Sequence, residues 1–146
     1  MTGIAFLILV LIAGFLAVRL WPDDRDRWHV DPAEKDDARR SEVRMVGLDA
    51  PRFPTEAAHV LTVIKDIARR EPRTRLLDGS VEEGMITFVS HSVLGFRDYI
   101  TFKAVDEVGQ SKLAVLSRPR LDLPDRGTNA ARLDRWLLEA KQTLER

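Results

Sequence analysis

The stretch at residues 117–136, SRPRLDLPDRGTNAARLDRW, carries the densest specific polar chemistry of the chain. Four of its side chains could present planar guanidinium groups to a carboxylate or a phosphate: Arg118, Arg120, Arg126 and Arg132. The start of the helix that follows would add free N–H groups and the positive end of a dipole. This pattern predicts a site for a lipid or a small anionic ligand, formed by Arg118, Arg120, Asp125, Asn129 and Arg132.

The same stretch also fits a structural role, and the sequence leaves both interpretations open. Asp98 and Asp125 would orient the arginines, Ser117 would support them, and Gly127 would supply a backbone angle φ above zero. In the structural interpretation, Asp125 braces the loop, while Arg118 pairs with Asp98 or Asp125 and ties a strand to the last helix.

Catalytic chemistry has little support, and we predict a protein that is not an enzyme, with no catalytic residues, no metal and no cofactor. The chain has no cysteine, which excludes disulfides, thiolate nucleophiles and zinc–thiolate sites. Its three histidines fall in a linker, a helix and a strand, and no nucleophile elbow or phosphate-binding loop occurs. The 23 basic and 23 acidic residues balance, which argues against a nucleic-acid partner.

The N-terminal residues 1–21 predict a single-pass membrane anchor. An apolar run begins at residue 3, GIAFLILVLIAGFLAV, and with Leu20 and Trp21 it reaches about 19 residues, close to the length that spans a bilayer. Arg19 would snorkel to the interface, where Trp21 is also typical. A cleaved signal peptide is the alternative. Against it stand the lack of Lys or Arg before the run and the lack of a clear cleavage site before Arg19.

The residues after the apolar run bear on orientation and on the start of the soluble domain. Arginines follow the run, so the positive-inside rule favours a cytoplasmic domain, with a periplasmic domain as the alternative. Residues 22–41 are charged and poor in large apolar side chains, which predicts a linker. Within it, Trp28 and His29 would dock on the domain or lie at the membrane surface.

Residues 42–146 predict one α+β domain with two amphipathic helices. Apolar side chains recur at three- and four-residue steps over residues 57–68 and again over residues 133–144. We expect Thr55 to cap the first helix, and Thr128 or Asn129 to cap the second.

Strand candidates lie at residues 43–48, 75–77, 85–93, 99–105 and 112–117. Asp78 and Gly79 would end the second of them. Alternation along the fourth predicts two different sheet faces, one with Ile100, Phe102 and Ala104, the other with Tyr99, Thr101 and Lys103. The expected fold is a two-layer sandwich, in which an antiparallel sheet of about four to five strands carries both helices on one face.

Four segments together resemble the DUF1499 family of uncharacterised bacterial proteins: WHVDP at 28–32, PRT at 72–74, GFRDY at 95–99 and SRPRLDLPDRGTNAARLDRWL at 117–137. The resemblance covers residues 28–138. The family's late segment typically reads S-R-x-R-x-G-x-S-D-x-G-x-N-x-x-R, which this chain matches at Ser117, Arg118, Arg120, Asp125, Gly127, Asn129 and Arg132. The resemblance implies the architecture and the location of a site, and it implies no activity.

Two kinds of non-enzymatic function therefore stay open. The first is an envelope-associated interaction module with a protein partner, which would expose an apolar patch with Tyr99 and Val89 on the sheet face that the helices leave open. The second is binding of a lipid or another amphiphilic or anionic small molecule. A concave apolar cavity would then be lined by Ile86, Phe88, Ile100 and Phe102.

Overall fold

The structure is a computed structural model that describes residues 2–34, 39–124 and 127–146. Its elements in chain order are α1 (Thr2–Leu20), α2 (Arg25–Trp28), β1 (Val43–Met45), β2 (Arg52–Phe53), α3 (Ala57–Arg70), β3 (Thr74–Ser80), β4 (Met85–His91), β5 (Arg97–Glu107), β6 (Gln110–Pro119) and α4 (Thr128–Leu144). The strands form one antiparallel sheet in the order β1-β6-β5-β4-β3, and β2 pairs with β6 further along the same edge as β1. The predicted α+β fold is confirmed, with six strands, more than expected.

Helices α3 and α4 pack on one face of the sheet and close the main core. The rings of Phe88 on β4 and Phe102 on β5 lie 6.2 and 6.1 Å from the ring of Trp136 on α4. The buried side chains of α3 recur at helical spacing, as predicted: Ala57, Val60, Leu61, Val63, Ile64, Ile67 and Ala68. The expectation of a cavity is wrong, because its four lining residues are at most 2% exposed and fill this core: Ile86, Phe88, Ile100 and Phe102.

Both helices begin differently from the prediction. The N–H of Ala57, at the start of α3, donates to Asp106 Oδ1 on β5 at 2.7 Å. A carboxylate distant in sequence thus takes the role expected of Thr55. At α4 the cap position is Gly127 rather than Thr128 or Asn129. The φ of Gly127 is 81°, which confirms the predicted positive angle.

Strand β3 continues through Asp78 and Gly79, where we expected it to end. A bulge between Leu76 and Asp78 shifts its register against β4. At Gly79, φ is 85°, and a Cβ atom would lie 2.1 Å from the Met85 carbonyl oxygen and 2.7 Å from His29 Cε1. Glycine is therefore required here by the backbone angle and by the close approach of two other segments.

Helix α1 is long and apolar enough to cross a membrane. The stretch Gly3–Leu20 has a mean hydropathy of 2.6 and no part of it is buried in the protein. The last part of the helix contacts the domain. The Phe15 ring lies 6.4 Å from the Phe96 ring, edge to face, and Arg19 Nη1 donates to the Leu94 carbonyl at 3.2 Å.

The second face of the sheet is covered by the chain that follows α1. Trp28 is 2% exposed and stacks on Tyr99, with ring centroids 3.9 Å apart. Leu77 and Val89 complete this smaller cluster. Because Tyr99 and Val89 are fully buried, the apolar patch that we expected on this face is not exposed. The segment predicted as a linker supplies the cover.

Candidate functional site

The structure divides the predicted site between the two faces of the sheet. Side chains of successive strand residues point to opposite faces. Arg118 of β6 and Arg120, directly after β6, therefore face the segment after α1, as their contacts with it show. Ser117 points to the helix side, since it is paired with Ile100, a residue of the main core.

The helix side holds the other described members of the predicted site. Arg132 Nη2 donates to Asp98 Oδ2 at 3.2 Å, and Arg132 Nη1 donates to Asn129 Oδ1 at 3.4 Å. Asn129 is buried at the start of α4. Asp98 thus joins β5 to α4 through an arginine. Asp125 lies outside the residues that the structure describes.

A carboxylate that the sequence analysis did not single out, Asp23, is the centre of the cluster on the other face. Its side chain is 6% exposed. Its Oδ1 atom accepts hydrogen bonds from Arg97 at 2.8 Å, from Arg120 at 3.1 Å and from the Tyr99 hydroxyl at 2.5 Å. Arg75 donates to Oδ2. Residues of β3 and β5, with Arg120 directly after β6, therefore converge on one carboxylate, and we call these five residues the Asp23 cluster.

The cluster changes the proton affinity of its members. Burial acts to raise the pKa of Asp23, but hydrogen bonds from Tyr99 and Arg97, with the charges of Arg97 and Arg75, hold that pKa below its ordinary 3.8. Burial raises the pKa of Tyr99 to about 12, and the Asp23 carboxylate that accepts its O–H acts in the same direction. At neutral pH the cluster thus combines one carboxylate, a neutral phenol and three guanidinium groups, so positive charge is in excess.

The excess positive charge lies against the C-terminal end of α1. Arg97 Nη2 donates to the Arg19 carbonyl at 2.7 Å, and Nη1 atoms of Arg97 and Arg120 donate to the Trp21 carbonyl at 2.6 and 2.8 Å. Arg120 Nη2 donates to the Pro22 carbonyl at 2.9 Å. The last carbonyls of a helix lack intrahelical partners and carry the negative end of its dipole. Arg120, which we predicted to bind an external anion, thus binds the protein's own backbone.

Arg118 and His29 hold the next part of the same segment. The Arg118 guanidinium lies 4.9 Å from the centroid of the Trp28 ring, and its Nη2 donates to the Trp28 carbonyl at 3.0 Å. His29 Nδ1 is 2.7 Å from Thr87 Oγ1, which is 2.8 Å from Thr101 Oγ1. These contacts fix the segment on strands β4, β5 and β6.

A pocket of about 290 Å³ lies beside the Asp23 cluster, at the end of the sheet nearest α1. Its wall includes a residue of α1, three apolar loop residues and two arginines: Val18, Phe96, Leu121, Leu123, Arg97 and Arg120. Arg97 Nε is buried and has no hydrogen-bond partner among the described residues. Among the residues that the structure describes, no group of three His, Asp or Glu side chains is arranged to hold a metal ion.

Sequence reasoning missed four members of the Asp23 cluster: Asp23, Arg75, Arg97 and Tyr99. The sequence pattern could have identified two of them, Arg97 and Tyr99, because residues two apart on a strand share a face. Arg97 and Tyr99 on β5 share a face with Arg118 on β6, which pairs with Tyr99, and with Arg120 directly after β6. No such signal marks Asp23, which is one of several charged residues after the apolar run.

Comparison with known proteins adds one distant structural likeness. No family model and no curated protein matches this chain, so the resemblance to DUF1499 stays a prediction. The chain is similar to the crystal structure of TTHA0849 from Thermus thermophilus, at 15% sequence identity and a TM-score of 0.41. That likeness covers 70% of this chain and 96% of the other. A likeness this distant carries no argument about family or function.

Proposed function

We propose that this protein is a single-pass, membrane-anchored, non-enzymatic interaction module whose folded domain is held in a fixed orientation at the membrane surface. The Asp23 cluster is the observation that carries this proposal. It joins the end of α1 to β3, to β5 and to Arg120 after β6 through ion pairs with Asp23 and through a hydrogen bond to the Arg19 carbonyl of α1. A flexible tether lets its domain tumble and needs no such contacts. A fixed domain presents the same surface to every partner in the membrane plane.

The energetics of the cluster support a stiff connection. Removing one partner of a buried ion pair commonly costs about 3–5 kcal/mol, because an uncompensated charge stays behind. Loss of the Asp23 carboxylate would leave the guanidinium groups of Arg97 and Arg120 close together, with side chains that are 13% and 11% exposed. Their mutual repulsion would then oppose the arrangement in which both donate to the Trp21 carbonyl, so the end of α1 would be held less firmly on the sheet.

The non-enzymatic part of the proposal is supported by the positions of the histidines. His29 belongs to the segment that covers the sheet and is hydrogen-bonded to Thr87. His59 lies on the exposed side of α3 beside Thr55. His91 is at the end of β4, where burial and the charges of Arg97 and Arg75 lower its pKa. The three imidazoles are thus on separate elements, and none of these contacts places a nucleophile and a base together in the pocket.

Distance measurements between spin labels test the fixed orientation. The chain has no cysteine, so Leu20→Cys and Leu138→Cys, at two exposed positions, give unique labelling sites. In phosphatidylcholine vesicles we expect a narrow distribution of the distance between the labels. Asp23→Asn should broaden it, whereas Asp26→Asn, which changes an exposed carboxylate three residues away, should leave it narrow. An equally narrow distribution with Asp23→Asn would refute the proposal.

Binding of a small anion is the second candidate, and one observation favours it. The pocket borders Arg97, whose Nε has no described partner, and Arg120. Calorimetric titration of the full chain with inorganic phosphate separates the two candidates. The interaction module predicts no saturable heat, because the Nη atoms already bind backbone carbonyls. Saturable heat that Arg120→Lys removes would favour the anion-binding alternative.

A further inference from the structure

An exposed apolar turn lies beside the end of α1. It connects β4 to β5 and reads Ser-Val-Leu-Gly-Phe at residues 92–96, without a charged side chain. Val93 is 78% exposed and Leu94 is 61% exposed. Large apolar side chains exposed next to one another are uncommon on a surface that faces water, and they indicate contact with another apolar phase.

Contacts with α1 fix the position of this turn along the helix axis. The Phe96 ring meets the ring of Phe15, five residues before the end of α1 at Leu20. At a rise of about 1.5 Å per residue, Phe15 lies roughly 7–8 Å inside that end. The helix of 19 residues is about 28 Å long, close to the thickness of a hydrocarbon core. If α1 spans a bilayer, Phe96 therefore lies at the depth of the acyl chains.

The boundary between apolar and charged residues occurs at one level in three segments. An arginine marks it in each segment: Arg19 near the end of α1, Arg97 directly after Phe96, and Arg120 directly before Leu121. Bonds from Arg97 to the Arg19 carbonyl and from Arg97 and Arg120 to the Trp21 carbonyl align these boundaries in space. An apolar layer beneath a row of arginines matches the polarity change from acyl chains to phosphate groups.

The loop after β6 supplies the other side of this surface. Leu121 and Leu123 are exposed and line the pocket together with Val18 and Phe96. Asp122 between them is held by the backbone N–H of Ser41, which donates to its Oδ1 at 3.3 Å. The pocket therefore lies between α1 and two apolar loops, with Arg97 and Arg120 in its wall.

We propose that residues 92–96, Leu121 and Leu123 form a membrane-insertion surface that enters the same bilayer as α1, with phospholipid acyl chains covering it and filling the pocket. This inference rests on the proposed membrane anchor. Three observations select lipid as the occupant. Phe96 and Phe15 lie at the same depth, the turn has no charged side chain, and the three arginines lie at one level. The insertion surface gives the domain a second attachment to the membrane besides α1.

Environment-sensitive fluorescence in phosphatidylcholine vesicles tests this surface in the full chain. Single cysteines at Val93, Leu94 or Val108 are labelled with a nitrobenzoxadiazole dye. Val108 is a matched control, because it is a fully exposed valine in the turn at the other end of β5. The 11 residues of β5 place that turn about 35 Å from the turn at 92–96. We expect a blue-shifted emission at Val93 and Leu94, and a loss of emission when the lipids carry acyl-chain nitroxide quenchers. The dye at Val108 should show neither change.

Two results would overturn the inference. One is that dyes at Val93 and Leu94 emit at the same wavelength as the dye at Val108 and, like it, are not quenched by the nitroxide lipids. The other is self-quenching at these positions that disappears when the protein is diluted in lipid, since a second copy of the chain would then be the occupant.

A dye at Leu9, in the middle of α1, separates failure of the inference from failure of the anchor. Quenching at Leu9 without quenching at Val93 would leave α1 in the bilayer and place the turn outside it. Absence of quenching at both positions would show that α1 itself does not enter the membrane. The spin-label distances between Leu20 and Leu138 report the Asp23 cluster independently of either result.

Discussion

The two faces of the sheet are closed by different chemistry. On one face, α3 and α4 pack apolar side chains against the strands, with Trp136 in contact with Phe88 and Phe102. The other face is covered by a short segment with one buried aromatic side chain, Trp28. Arginines bind the backbone carbonyls of this segment, and its Asp23 carboxylate pairs with Arg120. Alternate residues of the same strands thus build an apolar core and a polar joint.

The helix face and the Asp23 cluster therefore have different roles, one in the stability of the domain and the other in the orientation of α1. Apolar packing is roughly proportional to buried area and depends little on direction, so the helix face contributes most of the free energy of unfolding. Hydrogen bonds and ion pairs require particular distances and angles, so the Asp23 cluster determines how the end of α1 is placed on the sheet. The same cluster depends on pH through Asp23, and the helix face, held mostly by apolar packing, depends on it through Glu71, which accepts a hydrogen bond from Trp136.

The largest expected effect comes from removing a tryptophan on each face. Trp136→Ala should lower the free energy of unfolding by about 3–5 kcal/mol, the usual cost of removing a large buried aromatic. Trp28→Ala should cost less, about 2–3 kcal/mol, because its segment can move in to cover part of the gap. Urea unfolding of the full chain in detergent, followed by far-ultraviolet circular dichroism, measures both.

Trp21→Ala provides the control for this pair, since the Trp21 side chain is exposed and its carbonyl, which binds the arginines, is retained. We expect a change within about 0.5 kcal/mol. Equal losses for Trp28→Ala and Trp136→Ala would contradict the distinction between the two faces.

Acid should loosen the polar joint before it unfolds the helix face. Because the pKa of Asp23 is lowered in the folded protein, its contribution is present above its ordinary pKa near 3.8 and is lost as the pH falls through the lower folded value. The distance distribution between labels at Leu20 and Leu138 should therefore broaden only as the pH falls below 3.8, while helical circular dichroism is retained. With Asp23→Asn, the distribution should be broad at neutral pH and change little on acidification. Loss of both signals at one pH would argue that the faces are not separable.

The smallest effect is a spectroscopic shift at Tyr99, the single tyrosine of the chain. Its phenol should ionise with a pKa of about 12 rather than the ordinary 10.0, and near-ultraviolet absorbance of the phenolate reads this directly. Asp23→Asn should lower that pKa by removing a carboxylate acceptor, while burial keeps it above the ordinary value. Since the pKa is raised on folding, the contribution of Tyr99 to stability is complete below about pH 10 and is lost as the pH rises toward about 12. An unchanged pKa with Asp23→Asn would place the Tyr99 hydroxyl outside the Asp23 cluster.

Local patterns predicted most of the helix face. The apolar repeat of α3 and the alternation of Ile100, Phe102 and Ala104 on β5 correspond to buried residues of the main core. These patterns succeed because a regular element has a fixed period, and the period decides which side chains share a face. The start of α3 was not predictable in this way, because its N–H partner is Asp106, 49 residues along the chain.

The candidate site was predicted in part. The stretch at residues 117–136 does contain buried and ion-paired side chains, but it does not form one site, because Arg118 and Arg132 lie on opposite sides of the sheet. The carboxylate partner of Arg120, Asp23, is almost 100 residues earlier. No spacing rule connects residues that only the sheet brings together.

The apolar length of α1, the two amphipathic helices and the two-faced strands could be predicted from local patterns, because each depends on the order of side chains within one segment. Three features became visible only in the folded chain: residues after α1 cover the sheet, Asp23 binds Arg75, Arg97 and Arg120, and the turn at 92–96 meets α1 at Phe15. Those outcomes depend on register and on close approach between distant segments. A charged segment has the sequence pattern of a linker. Only the sheet surface that it covers, with donors for its carboxylate and its backbone carbonyls, shows that it is part of the fold.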